Sequence, residues 1–247
     1  MSTTMRRAGS PMLLGVPYLI GCGDKPKVAA PEPSTPAASP VTWSKSLGLK
    51  SLADLDARLR APWEERLTVS SAGKKTSVRN CADFLSLKSF RALNDQQEMQ
   101  LRLNAIECWA LDAIGTAKPA GAADEFRLTP DGGIKWLPAE LGPVVSNEDA
   151  KAVQAAAAGG KSWLDYDSGI KAAAGDEGEL NVTSHAYLTQ LAELARGDFS
   201  GRGVQEILIR ATSAATEGTW RDVRLFVIGR EGSQRVFTVR KRFPAQP

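Results

Sequence analysis

The sequence predicts an α+β fold, helical over 41–160 and closed by an antiparallel sheet drawn from a strand-rich half, 179–247. Two patterns carry this expectation. Up to residue 158 the apolar side chains recur every three to four positions, the period of a helix with one buried face. From residue 204 they fall in short runs rich in Val, Ile and Phe, separated by Gly-containing turns, as hairpin-linked strands do. Helices segregated from an antiparallel sheet make the α+β class, and no repeat of solenoid length competes with it.

Each element has its own signal. A first helix starts at Ser51, where Leu52, Leu55 and Leu59 share a face, and Pro62 stops it because its ring cannot continue the run. Ala82 to Leu87 predicts a second, short helix. The third is the longest. Asn94 and Gln97 have capping-box spacing, Met99, Leu103, Ile106 and Ala110 follow at helical intervals, and Gly115 stands at the end. Residues 117–150 are loop-rich, with Asp131-Gly132-Gly133 a turn between Glu125–Leu128 and Ile134–Leu137. Asn147 to Ala158 is helical again and stops at Gly159-Gly160. Strands follow at Val204–Ala211, Val223–Gly229 and Gln234–Phe243, with turns at 216–219 and 229–233. In the last of them Phe237, Val239, Lys241 and Phe243 alternate with Val236, Thr238, Arg240 and Arg242, one set on each face of the sheet. His185–Arg196 fits either a helix or a long strand running into a turn at Gly197.

Composition bounds the function. A chain of 247 residues, 43% hydrophobic and 24% charged, suits one large or two small domains and excludes a disordered, collagen-like or disulfide-dense protein. The net charge of +3 is too small to argue for nucleic acid as a partner. No apolar run is long enough to cross a membrane as a helix.

The N-terminus has the character of an address. Residues 1–21 hold Arg6 and Arg7, no acid, and an apolar stretch from Met12 to Ile20 whose length is that of a signal-peptide core. It ends in Leu19-Ile20-Gly21-Cys22, which resembles a bacterial lipobox. The resemblance implies cleavage before Cys22, acylation of that residue and a membrane contact through the attached lipid. Gly23, not an acid, follows the cysteine, which in Gram-negative lipoproteins implies the periplasmic face of the outer membrane. Residues 22–40 carry prolines at 26, 31, 33, 36 and 40 and read as an extended tether. At about 3 Å per residue it reaches up to roughly 50 Å. The folded domain is expected over 41–247, and its charge falls to +1 once the two leader arginines are gone.

With Cys22 taken by lipid, Cys81 and Cys108 remain as an even pair in an oxidising compartment, either bridged or as two buried thiols. The chain resembles proteobacterial lipoproteins that have a cysteine pair in the helical region and a GDF-type loop near the end. That family transfers no activity.

The loop in question, 197–209, reads GDFSGRGVQEILI. It resembles a degenerate calcium loop of the FG-GAP type, in which carboxylates at alternate positions surround a hard cation and Gly allows the sharp turn. Matched by position, Asp198 falls on the first ligand, Ser200 on the second, Gly203 on the turn and Glu206 on the last acid. Arg202 falls on the third ligand, and its fixed positive charge opposes a divalent ion. The expectation is a metal-free loop with Arg202 paired to Asp198 or Glu206; a plain turn and a true calcium site are the alternatives.

Other motifs fail on spacing. AAAAGGKS, Ala155 to Ser162, ends like a phosphate-binding loop, but the glycine required at 155 is Ala and a helix, not a strand, precedes it. There is no G-x-S-x-G, H-E-x-x-H or C-x-x-C. His185 is the only histidine, and beside Ser184 it reads as structural. Asp165, Asp167, Asp176 and Glu177 read as a solvated acidic loop. Arg235, Arg240, Lys241 and Arg242 make the last strand basic, suited to an anionic lipid, lipopolysaccharide or another acidic partner, or to guarding a sheet edge. The six tryptophans read as core and rim anchors. No cofactor or metal is expected. The leading reading is a lipid-anchored envelope protein whose domain is a non-enzymatic binding or accessory module, with an envelope protein or an anionic surface as partner. The alternative is a carboxylate-dependent hydrolase acting on cell-wall or surface polymers.

Overall fold

The computed structural model describes residues 38–121, 123–230, 232 and 234–243. The leader, the Leu19-Ile20-Gly21-Cys22 motif and most of the tether lie outside them. Ser39, at the tether's end, already exchanges backbone hydrogen bonds with Ala120, at 2.6 and 2.9 Å.

The elements in chain order are β1 (Thr42–Trp43), α1 (Leu55–Arg60), β2 (Leu67–Ser71), β3 (Lys74–Val78), α2 (Cys81–Leu85), β4 (Arg91–Ala92), α3 (Asp95–Thr116), α4 (Asn147–Ala158), α5 (Trp163–Tyr166), β5 (Lys171–Ala174), β6 (Leu180–Ser184), β7 (Tyr187–Gly197), β8 (Glu206–Ala215), β9 (Arg221–Gly229) and β10 (Thr238–Phe243). Both sheets are antiparallel. The larger runs β10-β9-β8-β7-β6-β5, with β1 pairing the far end of β7; the smaller runs β3-β2-β4.

This corrects the α+β expectation. The described chain is sheet-rich, with ten strands in two antiparallel sheets, and α3 is the one long helix among five. The described part of the N-terminal half is not the helical layer expected, because the β2–β3 hairpin and β4 share it with α1, α2 and α3. The hairpin escapes a periodicity search for a physical reason. Its strands are short and largely polar, and its turn uses Ala72 and Gly73, both at positive φ (48° and 77°), where Asn-Gly would have announced it. Of His185–Arg196, the part from Tyr187 onward resolves as strand, after a turn at His185 and Ala186.

The large sheet is covered on both faces. Leu208, Val223, Leu225 and Val227 pack on one side with α3 and the small sheet, through Leu101, Ala105, Leu111, Ile114, Val69 and Phe84. Ile207, Ile209, Phe226 and Ile228 pack on the other beneath Phe126, Leu137, Leu141 and Trp163. Double coverage explains why β8 and β9 read as unbroken apolar runs, since neither face needs to be polar. Cys81 and Cys108 stand at disulfide distance (S–S 2.05 Å, Cα–Cα 5.0 Å) and fasten α2 to α3 inside the first core. Asn94 caps α3 by accepting the Gln97 N–H at 2.9 Å.

The last strand departs from simple alternation. Pairing with β9 shifts between Val239 and Lys241, so Arg240 is an extra residue in the ladder. A bulge of one residue exchanges the faces beyond it. Phe237 therefore belongs to the second core, edge-on to Phe126 at 4.7 Å, and Phe243 to the first, 6.0 Å from Trp109.

Candidate functional site

The loop from Asp198 to Glu206 closes on itself. Asp198 Oδ1 accepts the Arg202 N–H at 2.9 Å and Oδ2 accepts that of Gly203 at 2.8 Å. Glu206 Oε2 accepts the N–H groups of Phe199 and Ser200, both at 2.9 Å, and Oε1 accepts the Ser200 hydroxyl at 2.7 Å. Both acids are buried, whereas Arg202 and Gly203 are exposed. In these contacts the carboxylates accept from four backbone N–H groups, that of Arg202 among them, and from one hydroxyl. Gly201 and Gly203 turn the chain at φ +75° each, where a side chain would be strained. The loop is also built in from outside. The Asp198 and Lys118 backbones exchange hydrogen bonds at 2.8 and 3.0 Å, the Gly203 carbonyl accepts from Gly121 N–H at 2.8 Å, and the Gln205 side chain accepts from Asp124 N–H at 2.7 Å. Among the described residues, no three His, Cys, Asp or Glu side chains gather in a way that could hold a metal ion.

The phosphate-loop lookalike is the end of α4. The N–H groups of Gly159, Gly160 and Lys161 bond back to Ala155, Ala157 and Ala156 at 2.9 to 3.1 Å. The amides that would cradle a phosphate thus cap the helix instead. Ser162 then opens α5 in a capping box with Asp165, and the Ser162 donors hold the Asp165 carboxyl below its ordinary range.

Two buried arginines carry structural weight that residue patterns had passed over. Arg196, on β7, forks onto Glu193 at 2.6 Å through both Nε and Nη2, and donates to the carbonyls of Asp124 and Phe126 at 3.1 and 2.7 Å. Arg224, on β9, donates to the carbonyls of Glu140 and Gly142 at 3.2 and 2.7 Å and lies 2.9 Å from Asp222. Burial lowers its affinity for the proton, Asp222 opposes that, and Arg242 adds to it. Each arginine pins part of the 123–142 segment to the sheet. Their signal was present: a charge inside a strand that is otherwise apolar on both faces needs a buried partner.

Two clefts flank α4 and α5, and their charges are opposite. The first, about 370 Å³, is lined by Glu140, Lys161, Arg235, Phe237 and Val239 among others. Arg235 also lies over the Trp136 ring, 5.8 Å from its centre, with Lys135 at 5.0 Å. Burial pushes the Glu140 carboxyl above its ordinary value, against the pull of Arg242. The basic strand does not present one charged face. Arg235 lines this cleft, Arg240 sits at the bulge beside Gly229, Arg242 lies over Phe226, and Lys241 lies over Phe243.

The second cleft, about 450 Å³, is lined by Val145, Asp149, Trp163, Tyr166, Asp167, Ser184, His185 and Tyr187, with Gly142 and Pro143. Here Asp167 is not a solvated loop acid. Its side chain is 14% exposed, and it accepts the Ser184 hydroxyl and the Gly169 N–H. His185 forms the β6–β7 turn at φ +45°, with Nε2 at 3.7 Å from Asp167. Serine donates to the aspartate rather than to the histidine, so this is no nucleophilic triad. Sequence spacing gave no hint of the meeting, because a turn and a loop seventeen residues apart supply the groups. Comparison with protein-family models, with curated proteins and with solved structures returns no match.

Proposed function

We propose that this chain is a lipid-anchored cell-envelope protein whose folded part is a binding module for an anionic envelope component. The sequence supports the anchor through the resemblance of Leu19-Ile20-Gly21-Cys22 to a lipobox and through the proline-rich tether that follows. One observation carries the binding half: Lys161 and Arg235 line a single cleft with Phe237 and Val239, and Arg235 also shares the Trp136 ring with Lys135. Cations on a rigid aromatic platform hold phosphate-bearing headgroups by charge while the ring and the apolar lining accept their apolar parts. The tether allows this cleft to turn back to the surface in which the lipid is seated.

Two measurements test the reading. Mass spectrometry of the N-terminus isolated from membranes is expected to find an acylated Cys22; an unmodified cysteine, or cleavage elsewhere, refutes the anchor. Protein beginning at Gly23, and so without lipid, is expected to sediment with vesicles containing phosphatidylglycerol and not with neutral ones. The double variant Lys161→Glu/Arg235→Glu should lose that binding. Equal sedimentation of the variant refutes the cleft.

A further inference from the structure

We propose that the second cleft, between Tyr166 and His185, is a binding site for an organic cation: the ammonium or guanidinium group of a basic peptide side chain. The proposal is independent of the anionic partner above and concerns a surface of the opposite sign.

Charge comes first. The cleft lining contains two carboxylates, Asp149 and Asp167, and neither lysine nor arginine. The second consideration is the wall. Trp163, Tyr166 and Tyr187 line the same space, and His185 stands at its rim with a side chain 80% exposed. Aromatic faces beside carboxylates are the surroundings that a partly desolvated ammonium or guanidinium prefers, because the ring quadrupole and the anion act on it together. Third is a place for the apolar stem. Val145 and Tyr166 are 43% and 37% exposed, large apolar side chains left open to water on the rim of this cleft. The methylenes of a lysine or arginine side chain would cover them while its head reaches the acids.

The acids are fixed in advance. Asp167 is held by the Gly169 N–H at 3.0 Å and by the buried Ser184 hydroxyl, and Asp149 by the Val145 N–H at 3.3 Å. Each carboxylate oxygen keeps a second lone pair for a ligand, and little side-chain entropy remains to be lost on binding. Tyr187 is braced edge-on against Trp220 at 5.4 Å, and Gly142 lets the backbone approach the Trp163 indole, where an added Cβ would come within 2.9 Å. A volume of about 450 Å³ admits one such side chain and its flanking peptide units. A neutral sugar would use the rings but leave the paired charges without a counterpart.

Titration calorimetry on the full chain, with N-acetyl-arginine amide and tetramethylammonium as probes, tests this. Both are expected to bind saturably, more weakly as salt is raised. Val145→Lys puts a cation on the exposed rim without touching the buried bonds, and Tyr166→Ala removes an exposed ring; each should weaken binding about tenfold, as loss of one cation–π contact does. Lys161→Glu/Arg235→Glu should leave it unchanged, which separates a failure here from a failure of the anionic cleft. No saturable heat from either probe overturns the proposal. So does binding that Val145→Lys leaves intact, or preferential binding of a neutral N-acetylglucosamine oligomer.

Discussion

The buried Glu206 carboxylate takes both polar hydrogens of Ser200, the backbone N–H at 2.9 Å and the hydroxyl at 2.7 Å. The residue that opens β8 therefore dictates the course of the loop before it. Replacing Glu206 with Ala removes a fully buried carboxylate and takes the acceptor from two amides and a hydroxyl, those of half-buried Phe199 and exposed Ser200. The expected loss is about 2 kcal/mol, since three charge-assisted bonds go while water can reach the freed Ser200 donors. Glu206→Gln keeps one acceptor oxygen and should lose less. Denaturant titration of both variants checks the order, and equal losses would contradict it.

Arg196 should behave as a buried hub. Its removal leaves Glu193 without its forked partner and two carbonyls, of Asp124 and Phe126, without a donor. Arg196→Ala is expected to cost about 3–5 kcal/mol, the range for breaking one side of a buried pair. Arg196→Lys should recover only part, because an ammonium cannot fork across a carboxylate and reach both carbonyls. Full recovery by lysine, read as an unchanged unfolding midpoint, would mean that charge alone matters here.

The Cys81–Cys108 pair spans 27 residues in sequence. Closing a loop of that size is worth about 3–4 kcal/mol on the chain-entropy estimate. Cys81→Ala/Cys108→Ala should lower stability by that order, and reductant should lower the wild type equally. Denatured without reductant, the chain should titrate for no thiol beyond Cys22.

Glu140 makes stability depend on pH in the less usual direction. Burial raises its pKa above the ordinary value of about 4.5. Below 4.5 both the folded and unfolded chains hold the proton, so nothing is lost. As pH climbs through the raised folded value, the folded state binds more protons than the unfolded one, and stability falls. Glu140→Gln should therefore flatten the decline between mildly acidic and neutral pH. Melting temperatures of wild type and variant, taken across that interval, should diverge upward; parallel curves would mean that the carboxyl ionises freely.

Elements whose signals are local were legible in the sequence. The Asn94 cap and its period marked α3, and Ser146 with Gly159 bounded α4 where the pattern placed it. The cysteine pair followed from counting. Missing were elements whose stability comes from elsewhere in the chain. The polar strands β2 and β3 are held by packing on α3 and by Phe84, neither visible in a window of ten residues. In the Asp198–Glu206 loop the sequence identified the residues but could not show that backbone amides would meet both acids. Asp167 and Ser184 meet only because the β6–β7 hairpin delivers one beside the other, so their cleft had no signature to read.

The bulge at Arg240 bears on the order in which the molecule can be completed. Because the strand changes faces there, one core waits for Phe237 and the other for Phe243, although only six positions separate them. β8 and β9, whose apolar side chains supply both cores, follow the helices in the chain. α3 and the small hairpin therefore precede in the chain the strands they pack on. Closure of both cores falls to one short segment, 237–243. A truncation just before β10 should leave neither half able to fold alone.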